Sequence, residues 1–200
     1  MYGIIRMLFW LLIFVIVMLQ VRKNKIANTK KNMVIIIVII CILWTGSMMI
    51  PIENCFVTFE SPERSFNYIN SGSVKEIISG DTTDLVIGEG NDYVYLIIPK
   101  NEKGWKLGRG IDFKTVAEFF DDGIIVQVYR FKESEEYYVE VEEIKGNTCE
   151  IKDNEDSCFQ ESKYTVVNET RYRYYAYVPG IDDNYTLTVN GKDIPVKRSE

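Results

Sequence analysis

The sequence predicts an α+β membrane protein, in which two N-terminal transmembrane helices precede an extracytoplasmic antiparallel β-sheet domain with one or two helices. Two long apolar runs lie within the first fifty or so residues, basic residues cluster between them, and strand-like segments alternate with turn residues afterwards. The predicted boundaries are transmembrane helix 1 at 1–21, a basic cytoplasmic loop at 22–32, transmembrane helix 2 at 33–52 and an acidic extracytoplasmic domain at 53–200.

The two apolar runs carry the membrane prediction. Residues 33–50 form a run of 18 residues without a charge, which is the length at which a helix is expected to span a bilayer. Residues 3–21 are apolar except for Arg6 and Gln20, and as a helix they reach roughly 28 Å. A cleaved secretion signal at the first run is an alternative, although no A-x-A-like site follows it. Cleavage after Ser47 is another.

Five cations and no acid lie between the two runs, and this bias predicts the orientation of the chain. Basic residues in short loops mark the cytoplasmic side of a membrane. We therefore expect a multi-pass protein of the cell membrane with both termini extracytoplasmic and the lipid bilayer as a partner. The residues that determine this topology are Arg22, Lys23, Lys25, Lys30 and Lys31.

The charge of the chain divides sharply at residue 52. Residues 1–52 contain six of the 23 Lys and Arg residues and no acid, so residues 53–200 carry 17 cations against all 29 acids. The resulting net charge of minus 12 argues against a nucleic-acid partner. The many Tyr, Val, Ile and Phe residues argue against disorder, and 148 residues suffice for one folded domain.

Cys149 and Cys158 flank a segment that reads as a β-hairpin. With Asp153 and Asn154 as the two-residue turn, the two cysteines lie opposite each other at a non-hydrogen-bonded pair. This spacing predicts a disulfide, which persists in an oxidising compartment, and two free thiols are the alternative. Cys55 is left unpaired in either case.

Two helices are predicted in the acidic domain. Ser61-Pro62-Glu63 has the features of a helix start, with an N-cap residue, proline at the first position and an acid in the first turn. Asp112 is the expected cap of a second helix, since apolar residues recur at i, i+3, i+4 and i+7. These residues are Phe113, Val116, Ala117 and Phe120.

The rest of the domain reads as strands. Residues 74–79, 84–87 and 92–99 predict a meander, and residues 124–131 and 137–144 a hairpin. In this hairpin, Val139 and Val141 alternate with Glu140 and Glu142, which indicates one face in solvent. The strand-dense end of the chain, at 164–167, 171–178 and 185–189 with a turn at Asn190-Gly191, makes an all-β sandwich the alternative fold.

The segment SPERSFNYIN, residues 61–70, resembles the SPE-x-A-F helix starts of small exported domains in uncharacterised membrane proteins of Gram-positive bacteria. The similarity covers about ten residues, and Ser65 stands where that pattern has alanine. It implies a location at the surface of a Gram-positive cell. No functional residue is carried over from it.

The composition excludes several chemistries. The chain has no histidine, which removes Ser-His and Cys-His nucleophile pairs and typical zinc sites. Adjacent carboxylates such as Asp121-Asp122 and Asp182-Asp183 point to opposite faces of a strand. The acidic residues around Asp153 lack the spacing of an EF-hand loop. We therefore expect no metal, no cofactor and no enzymatic activity.

Residues 171–180, RYRYYAYVPG, are the candidate binding element. Strand alternation places Arg171, Arg173, Tyr175 and Tyr177 on one face, where stacking and hydrogen bonds can hold a glycan or a protein strand outside the cell. The expected function is an anchored extracytoplasmic binding or sensing domain of unknown ligand. The alternatives are a structural or interaction subunit of a membrane complex and, third, a carboxylate-dependent envelope hydrolase.

Overall fold

The computed structural model describes two compact units. The N-terminal unit comprises residues 1–57 and 68–70, and the β unit comprises residues 58–67 and 71–200. Within these units the structure describes residues 2–23, 30–49, 51–89, 93–108, 113–132, 134–166, 169–182 and 184–196.

The N-terminal unit is helical. It contains α1 (Tyr2–Lys23), α2 (Lys30–Met49) and a 3₁₀ helix (Ile52–Cys55). The guanidinium of Arg6 is buried, where it pairs with Glu53 at 2.6 Å and donates to the Ser47 carbonyl. Trp10 Nε1 donates to Ser47 Oγ at 2.8 Å. Much of the remaining surface of α1 and α2 is apolar, with Leu19 61% and Ile42 65% exposed.

Both apolar runs form helices, but the prediction that they span a membrane is contradicted. Over the residues that the structure describes, neither helix combines the length and the apolar character that a membrane crossing requires. Charged residues lie in or at the ends of both helices: α1 contains Arg6 and ends with Arg22 and Lys23, and α2 begins with Lys30 and Lys31. The multi-pass localisation, and the orientation drawn from the five cations, lose their basis with the spans. Lys25 lies outside the described residues.

The β unit is mostly strand, which contradicts the predicted α+β fold with its transmembrane helices. It contains most of α3 (Pro62–Ile69), which begins with Ser61 Oγ accepting from the Arg64 amide and so confirms the predicted helix start. The strands are β1 (Ser73–Ser79), β2 (Thr83–Glu89), β3 (Tyr93–Asn101), β4 (Gly104–Trp105), β5 (Phe113–Asp121), β6 (Ile124–Phe131), β7 (Tyr137–Glu143), β8 (Ile151–Asp153), β9 (Gln160–Val166), β10 (Glu169–Val178), β11 (Leu187–Val189) and β12 (Lys192–Ile194).

In the described part of the chain, these strands form three antiparallel sheets. The first sheet has the order β1-β2-β3-β4, the second has β5-β6-β7-β10-β9, and the third has β12-β11-β8. The predicted meander and the predicted hairpin of β6 and β7 are both confirmed. So is the turn between β11 and β12, where Asn190 and Gly191 take φ angles of 53° and 76°.

Among the described residues of the β unit, three cores separate four layers. Phe66 of α3 packs against Val86, Leu96 and Ile98 on the outer face of the first sheet. Close packing there requires glycine at position 88, since a Cβ would lie 2.1 Å from the Phe66 ring. A mixed aromatic and aliphatic cluster lies between the first and second sheets, and an apolar core that includes Val139, Val141 and Leu187 joins the second sheet to the third. The second sheet is therefore covered on both faces.

The second predicted helix is wrong, because residues 113–121 form β5, an outer strand of the second sheet. The apolar residues recur with helical spacing because β5 contains a β-bulge between Thr115 and Ala117. The extra residue breaks the alternation of the strand, so that Val116 and Ala117 are both buried although they are neighbours. A bulge can thus imitate the i, i+3, i+4, i+7 pattern of a helix. The proposed cap, Asp112, lies outside the described residues.

The predicted Cys149–Cys158 disulfide is also wrong, because both thiols are free. The hairpin on which it depended does not form: β8, which follows Cys149, pairs with β11 of the third sheet instead of the segment around Cys158. Asp153 Oδ1 accepts from the Ser157 amide at 2.8 Å, which turns the chain away after β8. Cys149 Sγ instead lies 3.6 Å from Asn190 Nδ2.

Candidate functional site

A line of polar side chains begins just before β7 and continues along it, on the face that meets the first sheet. Its members are Glu136, Tyr138, Glu140 and Glu142, and we refer to them as the β7 seam. The sequence indicated that Glu140 and Glu142 lie on a face in solvent. Instead the first sheet covers this face, so that Glu140 is only 3% exposed. Carboxylates between two packed sheets are costly, and they persist only with partners.

Glu140 is held by hydroxyl groups from both sheets. Tyr95 of the first sheet donates to Oε1 at 3.0 Å, and Tyr129 of the second sheet donates to Oε2 at 2.7 Å. Burial raises the pKa of Glu140 above its ordinary value, while the Tyr129 hydrogen bond and the charge of Arg173 work in the opposite direction. The carboxyl is thus a bridge between two layers.

Arg173 of β10 lies beside Glu140 and is the centre of the arrangement. Its Nε is 3.4 Å from Glu140 Oε1, and its two terminal nitrogens reach Glu142 at 3.2 Å and the Tyr95 hydroxyl at 3.1 Å. The guanidinium carbon lies 4.1 Å from the ring centre of Tyr164 and 4.9 Å from that of Tyr93. The cation is thereby held in place by carboxylates and by aromatic rings.

The surroundings of Arg173 maintain its charge. Burial lowers the pKa of a guanidinium, but the neighbouring Tyr95, Tyr175 and the two carboxylates outweigh this effect, and the pKa of Arg173 lies above its ordinary value. Tyr164 adds a hydrogen bond from its hydroxyl to Glu142.

The other end of the β7 seam is closed. Glu136 accepts from the Thr82 amide at 2.5 Å, in the turn between β1 and β2, and from the hydroxyl of Thr83, the first residue of β2, at 2.6 Å. Tyr138 lies 2.8 Å from the same Thr83 hydroxyl. These contacts join the two sheets, so this end of the seam is structural.

A cleft of about 330 Å³ opens at the Arg173 end of the seam, between β1 of the first sheet and β9 of the second. Arg173 and Tyr175 line the cleft from β10, and Tyr93 lines it from β3. Ser162 of β9 donates to Glu76 of β1 at 2.7 Å and ties the two strands together. The remaining lining residues are Lys75, Ile87, Glu89, Lys163, Tyr164 and Thr165.

The four predicted binding residues lie on one face of β10, and only some of them reach the cleft. The register pairs Arg173 with Glu142, Tyr175 with Glu140 and Tyr177 with Tyr138, so the face is turned toward the first sheet. Arg173 and Tyr175 line the cleft. Arg171 lies 3.7 Å from Glu142, and Tyr177 lies at the closed end of the seam, where burial raises its pKa to about 12.

The side chains that surround Arg173 and Tyr175 were not predicted from the sequence. Tyr93 and Tyr95 were assigned to a strand without a role, and Glu140 was assigned to solvent. The signal available in the sequence was the density of tyrosine on strands that also carry acids, because a tyrosine hydroxyl is a frequent partner of a buried carboxylate.

The described residues contain no group of three or more potential metal ligands among Cys, Asp and Glu. Asp153, which belongs to the acidic segment without EF-hand spacing, accepts from the Ser157 amide and from the Tyr185 hydroxyl at 3.0 Å.

Comparisons of the chain with family models, with curated proteins and with solved structures find no match in any of the three.

Proposed function

We propose that the β unit is a binding or sensing module, and that its ligand enters the cleft between β1 and β9. The observation that carries this proposal is that the most elaborate buried polar network of the β unit ends at an open cleft. A purely structural network has no need to place Arg173 at the surface of a cavity, and the cleft volume lies at the lower end of the range for small-molecule sites.

The contacts of Glu140 and Glu142 favour a binding function over a catalytic one. Glu140 and Glu142 share one cation, Arg173, and both also accept from tyrosine hydroxyls. A glycosidase-like pair needs one carboxyl free to donate a proton and another free to attack or to activate water. Acids that hold a fixed arginine are better suited to positioning that arginine toward a ligand.

A matched pair of substitutions tests the proposal. Thr165 and Thr115 are both exposed residues on the outer strands of the second sheet, β9 and β5, and only Thr165 lines the cleft. Thr165→Trp fills the cleft, whereas Thr115→Trp places the same side chain at the opposite edge. A library of small polar metabolites is screened against the full chain by ligand-observed NMR.

We expect hits that bind the Thr115→Trp variant as they bind the unmodified chain and that fail to bind Thr165→Trp. Circular dichroism of both variants checks that the fold is intact. A screen in which every hit tolerates Thr165→Trp, or in which no compound binds, contradicts the proposal.

A further inference from the structure

We infer that the ligand of this cleft is an uncharged, polyhydroxylated molecule of roughly one or two sugar rings, an inference that rests on the proposed function. Four features of the cleft point to this class: its balanced charges, its hydroxyl groups, its tyrosine rings and the protection of the neighbouring strand edge.

The cations of the lining are already paired with carboxylates of the chain. Lys75 pairs with Glu89 at 2.5 Å, Lys163 pairs with Glu161 at 3.2 Å, and Arg173 pairs with Glu142. An anionic ligand has to compete with these carboxylates, and a cationic ligand has to approach the three cations. A net charge on the ligand therefore adds little binding free energy in this cleft, which favours a neutral molecule.

The hydrogen-bonding groups of the cleft are of both kinds. The hydroxyl group of Tyr175 can donate and accept, and that of Ser162, whose proton is donated to Glu76, can accept. Glu76 accepts, and the guanidinium of Arg173 donates. A polyhydroxylated ligand presents the same mixture of donors and acceptors. Several of these side chains are held in place before the ligand arrives, by contacts such as Ser162 to Glu76 and Arg173 to Glu142, which lowers the entropy lost on binding.

Two tyrosine rings supply an apolar surface among these polar groups. Tyr93 and Tyr164 lie edge to face, with ring centres 5.8 Å apart and planes at 75°. Such rings are rigid and combine an apolar body with a polar tip. They match a sugar ring, whose C–H groups and hydroxyl groups also alternate over a small surface.

The alternative ligand, a protein strand added to the edge of β9, is disfavoured by the residues on that edge. Glu161, Lys163 and Thr165 are exposed along β9, and charged side chains on an outer strand discourage pairing with another chain. Exposed lysine is a common means of this protection.

The test compares neutral and charged sugars on the full chain by saturation-transfer NMR. The probes are maltose, cellobiose and N,N′-diacetylchitobiose, with glucose 6-phosphate and glucosamine as the anionic and cationic counterparts. We expect at least one neutral disaccharide to bind with a Kd of about 1 mM, and both charged sugars to bind at least about tenfold more weakly.

Two substitutions assign that binding to the cleft. Tyr164→Ala removes a ring and is expected to weaken binding about tenfold, and Thr165→Trp, at an exposed position, is expected to abolish it. Thr115→Trp is the matched control and should bind as the unmodified chain does. Unfolding curves of each variant separate a lost site from a lost fold.

The outcomes distinguish the ligand class from the site itself. Preference for a charged sugar, or binding of no neutral disaccharide, overturns the inference. If small polar metabolites bind the unmodified chain and fail to bind Thr165→Trp, the proposed function stands with a different ligand. If neutral sugars bind equally well to Thr165→Trp, the cleft is not their site and the inference fails.

Discussion

The two faces of the second sheet are both buried, yet they are built from different chemistry. The face toward the third sheet is an apolar core containing Val139, Val141 and Leu187. The face toward the first sheet carries the β7 seam, with buried carboxylates, tyrosine hydroxyls and Arg173. Apolar packing alone would be enough to hold the first sheet on the second, as it holds the third sheet on the second. The following variants test how far the two faces differ.

The largest effect is expected for Arg173→Ala. This substitution leaves Glu140 between the sheets without its cation, and leaves Glu142 with Arg171 alone at 3.7 Å. Uncompensated buried charge costs about 3 to 5 kcal/mol of unfolding free energy. Urea denaturation of the full chain measures the loss. Lys163→Ala, which removes an exposed cation of the neighbouring strand, is the control and should cost no more than about 1 kcal/mol. Equal losses for the two variants would contradict the central role of Arg173.

Leu187→Ala tests the apolar face. Leu187 is fully buried between the second and third sheets, so the truncation removes apolar contacts and leaves a cavity. We expect a loss of about 2 to 5 kcal/mol in the same urea experiment. Unlike Arg173→Ala, it should leave ligand binding in the cleft unchanged at temperatures where the variant is folded. Loss of binding by folded Leu187→Ala would show that the two faces are not separable.

Glu140→Gln is a smaller change at the polar face. The amide keeps the shape of the side chain and one oxygen acceptor, but it loses the charge that pairs with Arg173 and offers a donor to one of the two tyrosine hydroxyls. A loss of about 1 to 3 kcal/mol is expected near neutral pH. A variant as stable as the unmodified chain would mean that the charge of Glu140 contributes nothing to the interface.

The smallest effect is the pH dependence that Glu140 itself contributes. Its pKa is raised in the folded state, so between the unfolded and folded values the folded chain binds more protons than the unfolded chain. Stability from this group therefore increases as the pH falls through the folded pKa toward the unfolded value, by at most about 1.4 kcal/mol per pH unit. The difference between the unmodified chain and Glu140→Gln isolates this contribution. A difference of the opposite sign would show that Arg173 dominates over burial.

The sequence allowed the local elements of this fold to be predicted better than their partners. The strands around Val139 and Tyr175 and the helix start at Pro62 follow from alternation and capping, which act between near neighbours. Whether Glu140 faces solvent depends on β3, more than forty residues earlier, and nothing near Glu140 encodes that layer. The same limit explains why the predicted Cys149–Cys158 disulfide was wrong, since β8 pairs with the distant β11. At β5, one bulge was enough to give a strand the apolar spacing of a helix.

The candidate site shows the same division. Alternation along β10 placed Arg173 and Tyr175 on one face, but the cleft also requires Tyr93, Ser162 and Glu76 from three other strands. Only the packing of the first sheet on the second brings these residues together.

The covering of β7 on both faces has a consequence for how the β unit opens. A layer that detached from the second sheet would expose either the apolar core or the buried carboxylates, and β7 contributes to both interfaces. Local openings that separate one layer are therefore costly on either side. Amide hydrogens of β7 should exchange with solvent only when the whole β unit unfolds, whereas those of the short β4 and β12 exchange through local fraying.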